Sequence, residues 1–106
     1  MDYILTYSCK FTKSYMKFMV LDETTVYLVE SFIDTEYFKL FIELLKQTIN
    51  KLEELKYKYI YQNVTYEDYE IIKDKWELIE ERDDYIIVKT NIESAYENIL
   101  HGFCIN

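Results

Sequence analysis

The sequence predicts an α+β fold: a mainly antiparallel sheet of about five strands, in the order βββ–α–α–ββ–α, with a long helix and a C-terminal helix packed on one face. Three observations predict it. Strand-like runs come in groups and do not alternate one for one with helices. One long amphipathic run holds the middle of the chain, where Phe38, Phe41, Ile42, Leu45, Ile49, Leu52, Leu55 and Tyr59 recur at steps of three and four. A shorter run near the end carries Ile92, Ala95, Tyr96, Ile99 and Leu100 on one side. The 106 residues, half of them apolar, suit a single compact domain, residues 1–106, with its own core.

Residues 2–9 alternate, with Tyr3, Leu5, Tyr7 and Cys9 on one side and Ile4, Thr6 and Ser8 on the other. That is a strand with two partly apolar faces. Residues 10–14 are a connection. Residues 15–21 form a second strand, with Met16, Phe18 and Val20 sharing a face. Asp22, Glu23 and Thr24 make a turn, and residues 25–31 a third strand rich in β-branched and aromatic side chains. Such short connections favour an antiparallel meander.

The long helix is read from Asp34 to about Tyr59. Asp34, Thr35 and Glu36 supply capping oxygens and negative charge at its start. Its end is ambiguous, because Tyr57, Tyr59 and Tyr61 alternate before Gln62 and Asn63. Thr65 then caps a short helix over residues 66–73, with Tyr66, Tyr69 and Ile72 on one side. Residues 76–81 and 85–90 flank Arg82, Asp83 and Asp84 as a hairpin. Thr90 and Glu93 have the spacing of a capping box for the last helix. Gly102 stands where a left-handed C-cap is wanted, with Phe103 folding back on the last turn.

Composition limits the function. The chain has no proline and one glycine, which excludes a Gly-rich phosphate loop. No charged leader and no apolar run near 18 residues appears, so a cytoplasmic protein without membrane contact is expected. A net charge of −8 disfavours nucleic acid and anionic membranes. Aromatics that stacked bases would need surrounding cations; Lys10, Lys13 and Lys17 form only a small patch, and Arg82 is the one arginine. Cys9 and Cys104 lie near opposite ends and are read as two buried thiols, or as a disulfide if the first strand meets the last helix. His101, Cys104 and Cys9 have a metal-like spacing but lack a fourth ligand, so neither metal nor cofactor is expected.

The charge is uneven. Residues 65–84 hold nine acids against Lys73, Lys75 and Arg82. Twelve tyrosines, large and rigid with a polar tip, suit protein interfaces. The expected partner-binding face joins the two features: Tyr66, Glu67, Asp68, Tyr69, Glu70, Asp74, Glu77, Glu80, Glu81, Asp83 and Asp84. The predicted function is a small acidic non-enzymatic interaction module that docks on a basic protein surface. In its sharpest form it is a virus- or phage-encoded inhibitor whose carboxylates stand where the phosphates of a nucleic acid would lie. In composition it resembles the anti-CRISPR proteins. Two alternatives stand beside this reading. One is a homodimer built on an edge strand, residues 2–9 or 85–89. The other is a small enzyme using His101, with or without a cysteine, or a carboxylate pair.

Overall fold

A computed structural model describes residues 3–104, without the side chains of residues 3, 35, 103 and 104. Six strands form one sheet: β1 (Tyr3–Ser8), β2 (Tyr15–Val20), β3 (Thr25–Phe32), β4 (Tyr59–Val64), β5 (Glu77–Glu81) and β6 (Ile86–Asn91). Three helices intervene: α1 (Phe38–Glu54), α2 (Tyr66–Ile72) and α3 (Ile92–Cys104). The strand order is β1-β2-β3-β4-β6-β5. β1, β2 and β3 form the expected antiparallel meander, and β5 and β6 the expected hairpin. The sheet is nevertheless mixed, because β3 and β4 run parallel. A parallel neighbour requires a crossover, and α1 supplies it.

The long helix is shorter than its apolar period suggests, and the reason is local. A 3₁₀ turn, Thr35–Tyr37, precedes it, and the Asp34 carboxylate accepts from Glu36 N at 3.3 Å. At the other end Lys56 adopts φ 74°. Lys56 N donates to Glu53 O at 2.9 Å and Tyr57 N to Leu52 O at 3.1 Å. These two bonds are the Schellman pattern, which satisfies the last helical carbonyls. The chain then turns extended. Lys58 N and Tyr59 N both reach Thr24 O, and Tyr59 to Val64 join the sheet as β4, a strand beyond the five expected. Alternation thus overrides helical period beyond residue 56.

Gly102 does not cap α3. It lies inside the helix without a positive φ, and a Cβ there would meet Ile72 Cγ2 at 3.7 Å, an ordinary contact. No capping box forms either, since the Thr90 hydroxyl is engaged by Asn98 Nδ2 at 2.7 Å. The fold-back of Phe103, a Cys104 bond to Cys9 or His101, and the start of β1 at residue 2 fall outside the described residues.

Met16, Phe18, Val26, Leu28, Ile60, Ile86 and Val88 project from one face of the sheet into a single hydrophobic cluster. Phe41, Leu45, Ile49 and Leu52 of α1, Ile72 of α2, and Ile92, Ala95 and Ile99 of α3 complete it. Each of these side chains larger than alanine contributes roughly 1.5–3 kcal/mol on burial. Among the described residues, all three helices pack into this one cluster and none covers the opposite face. Half-buried Tyr27 and Tyr61 sit side by side there, ring centroids 6.4 Å apart, and Lys89 Nζ lies 4.2 Å from the Tyr59 ring. Among the described residues no helix is long and apolar enough to cross a membrane.

Candidate functional site

The sheet opens where its two parallel strands part. β3 and β4 pair from Thr25 and Tyr59 to Leu28 and Gln62, and there the pairing stops. Both strands continue. β3 stays with β2 as far as Phe32 opposite Tyr15, and β4 stays with β6 as far as Val64 opposite Ile86. A register shift opposite Lys17 and Phe18 places an extra residue, Val29, in β3 just past Leu28. Such a bulge bends the strand that carries it. The two halves of the sheet therefore diverge, and the β4-facing backbone groups of β3 beyond Leu28 lose their strand partner.

A cleft of about 180 Å³ occupies this opening. Its floor is apolar: Leu28, Val64, Ile72, Trp76 and Ile99 line it and are all buried. Ser31, Gln62, Asp68 and Asn98 add polar groups. It lies at the carboxyl ends of the parallel strands, where open sheets gather their ligands. Two more open grooves, of about 330 and 390 Å³, run between β1 and α1 and share Ser8, Leu44 and Gln47. The buried hydroxyl of Thr48 lies in the first of them without a hydrogen bond. Unlike the cleft, neither groove lies at the carboxyl ends of the parallel strands.

Asn98 locks the cleft wall. Its Nδ2 donates to Lys75 O at 3.0 Å and to Thr90 Oγ1 at 2.7 Å, and its own carbonyl accepts from Trp76 Nε1 at 3.4 Å. These bonds tie α3 to β6 and to the turn before β5. Asn98 was missed as a site residue, and so were Ser31, Gln62 and Trp76. The available signal was the stripe Ala95, Asn98, Ile99 and Gly102, spaced i, i+3, i+4, i+7, in which an asparagine holds an inward position.

The predicted partner-binding residues are distributed over several elements. Tyr66, Glu67, Asp68, Tyr69 and Glu70 lie on α2, Asp74 follows it, Glu77, Glu80 and Glu81 lie on β5, and Asp83 and Asp84 form the turn before β6. The Tyr66 hydroxyl donates to Arg82 O and so joins the start of α2 to that turn. Three of the acids are paired: Glu70 with Lys73 at 2.8 Å, Glu80 with Arg82 at 3.0 Å, and Glu77 with Lys89 at 3.5 Å. Exposed pairs of this kind contribute little to stability. Of the whole set, only Asp68 lines the cleft.

His101 is half-buried in α3, and among the described residues no group of three or more His, Cys, Asp or Glu could hold a metal ion. Cys9 is a free thiol at the end of β1. The backbone N–H of Phe11 and the Thr12 hydroxyl hold it below its ordinary value. Of residues 85–89, proposed as an edge strand, 86–89 belong to β6, which is paired on both sides by β4 and β5.

No family model matches the chain, and no curated protein does. Solved structures do. A PaiA N-acetyltransferase from Thermoplasma acidophilum in complex with coenzyme A is 12% identical with a TM-score of 0.63, over 86% of this chain and 62% of that one. An acetyltransferase from Streptococcus agalactiae is 14% identical with a TM-score of 0.56, over 74% and 58%. A GNAT-family acetyltransferase from Staphylococcus aureus is 19% identical with a TM-score of 0.54, over 74% and 59%. The chain thus spans about 60% of the length of the structures it matches. Its fold is that of acetyltransferases, a fold of enzymes, and this corrects the expectation of a non-enzymatic viral inhibitor of the anti-CRISPR type.

Proposed function

We propose that the chain is an enzyme domain that transfers an acyl group from a thioester to a primary amine in the cleft between β3 and β4. One observation carries the reading: the parallel pair parts beyond Leu28 and Gln62 and opens a cleft there, in a fold shared with acetyltransferases. In the reaction the amine nitrogen bonds to the acyl carbon and the C–S bond breaks. The thiol leaves with the proton the amine gives up.

Each part of the cleft has a task in this scheme. The unpaired edge of β3 beyond Leu28 offers N–H and C=O groups, which hold the amide of a thioester arm as an added strand would be held. Asp68 is the one titratable group among the lining residues, and it attracts the ammonium of the acceptor, which gives one proton to solvent before the neutral amine attacks. Leu28, Trp76 and Ile99 keep the floor dry, which disfavours hydrolysis of the thioester. No lysine or arginine lines the cleft itself, and the 3₁₀ turn between β3 and α1 carries Asp34 and Glu36, while Lys39 stands in the first turn of α1.

The test is a transfer assay with a panel of acetyl thioesters, acetyl-coenzyme A included, and a panel of primary amines, read by thiol release and by the mass of the product. Acetylated amine is expected, with at least a tenfold loss in Asp68→Asn (about 1.4 kcal/mol of transition-state binding). Ser31→Trp, which fills the cleft, abolishes it. Transfer no faster than in the Ser31→Trp variant would overturn the reading.

A further inference from the structure

We infer that the sheet face turned away from the helices packs against the same face of a second copy of this chain, so that two sheets stack as a two-fold dimer. The register shows what that face presents. Side chains that alternate with buried Phe18, Val26, Ile60 and Val88 point to it. One cross-strand row spans all six strands: Ile4, Met19, Tyr27, Tyr61, Lys89 and Glu77. The first four of these are apolar or aromatic and stand side by side.

Parallel strands are ordinarily covered on both faces, whereas antiparallel ones can leave one face to water. Here β3 and β4 are the parallel pair, and Tyr27 and Tyr61 at its centre have no described helix over them. Both rings, and Met19 beside them, are only half-buried, and Ile4 at the end of the row is 47% exposed. Tyrosine and methionine are enriched in protein interfaces, where a large side chain is desolvated at small cost in order.

Charge and area point to a second copy as the occupant. The chain carries −8, yet the charges on this face cancel in pairs: Lys17 with Glu30 at 3.4 Å, Lys89 with Glu77 at 3.5 Å, and Arg82 with Glu80 at 3.0 Å. Two acidic chains therefore meet here with the least repulsion, while a basic partner finds no excess of carboxylate. Six strands spaced about 4.8 Å apart, each roughly 20 Å long, give a footprint of about 500–600 Å² on each copy. The total of about 1,000–1,200 Å² reaches the size of a specific interface. Stacked sheets pack about 10 Å apart, which lets rings from the two copies interdigitate.

Sedimentation equilibrium of the whole chain, from about 5 to about 500 µM, tests the inference. A monomer–dimer equilibrium is expected, and Met19→Lys and Tyr61→Glu should each weaken it by about tenfold or more while circular dichroism stays that of the native chain. If Tyr61→Glu does not fold, Met19→Lys decides. Hydroxyl-radical footprinting should find Met19, Tyr27 and Tyr61 protected at the high concentration relative to the low. A chain that stays monomeric throughout would overturn the inference. So would a dimer that the folded variants leave intact, whether joined at the β1 edge or elsewhere. The acyl-transfer reading stands apart from either outcome, because its cleft lies among the helices.

Discussion

Replacing Asn98 by alanine probes the wall of the cleft and the core at once. The side chain is 8% exposed and its Nδ2 serves two acceptors, Lys75 O and Thr90 Oγ1. Lys75 is exposed, so its carbonyl can turn to water and loses about 1 kcal/mol. Thr90 is 5% exposed, and its hydroxyl, which keeps only its long 3.4 Å bond to Asn91 O, loses its donor at a further cost of about 1–3 kcal/mol. The sum is about 2–4 kcal/mol, a large part of the roughly 5–15 kcal/mol that holds a domain folded. Urea unfolding followed by circular dichroism measures it, as a lowered midpoint at unchanged slope. A double-mutant cycle with Thr90→Val isolates the loss at the Thr90 hydroxyl: the double variant should be less destabilised than the sum of the singles by about 1 kcal/mol. A single Asn98→Ala variant within about 0.5 kcal/mol of the native chain, or strict additivity, would refute the reasoning.

Other consequences are as specific. Lys56 holds a left-handed conformation that costs a side-chain-bearing residue about 1–2 kcal/mol, partly offset by glycine's freer unfolded chain. Lys56→Gly should therefore raise stability by up to about 1 kcal/mol, and a lowered urea midpoint would count against the Schellman ending of α1. The Tyr15 hydroxyl donates to Glu30 at 2.6 Å and Lys17 adds its charge, so Glu30 titrates below its ordinary 4.5. Its small stabilising contribution is full above that value and fades as pH falls through the lower folded one. Tyr15→Phe should move the NMR titration midpoint of Glu30 upward; an unchanged midpoint contradicts the bond. Alkylation of Cys9, followed by peptide mass, should reach half its limiting rate below pH 9.0, and Thr12→Val should raise that point.

Much of the fold was legible because it is written in short-range patterns. Met16 and Phe18 alternate into the core, Thr65 caps α2, and Arg82, Asp83 and Asp84 turn the hairpin, all as the residues suggest. Strand β4 was not, because Tyr59 belongs to the helical stripe by period and to the strand by alternation. Only the backbone turn at Lys56 decides between them. Strand direction was not legible either, since alternation is the same in parallel and antiparallel ladders. The cleft depends on a bulge at Val29 and on where the β3–β4 pairing ends, which are properties of the assembled sheet. The acids of residues 65–84 drew attention by number, yet the one that lines the cleft is Asp68, and nothing in its local sequence distinguishes it from Glu67 or Glu70.

The most direct test of the cleft is a backbone amide NMR titration of the chain with S-acetyl-N-acetylcysteamine. Saturable shifts concentrated at Ser31, Gln62, Asp68 and Asn98 are the predicted result. Shifts confined to the groove between β1 and α1, around Ser8, Leu44 and Thr48, or no saturable shifts at all, would contradict it.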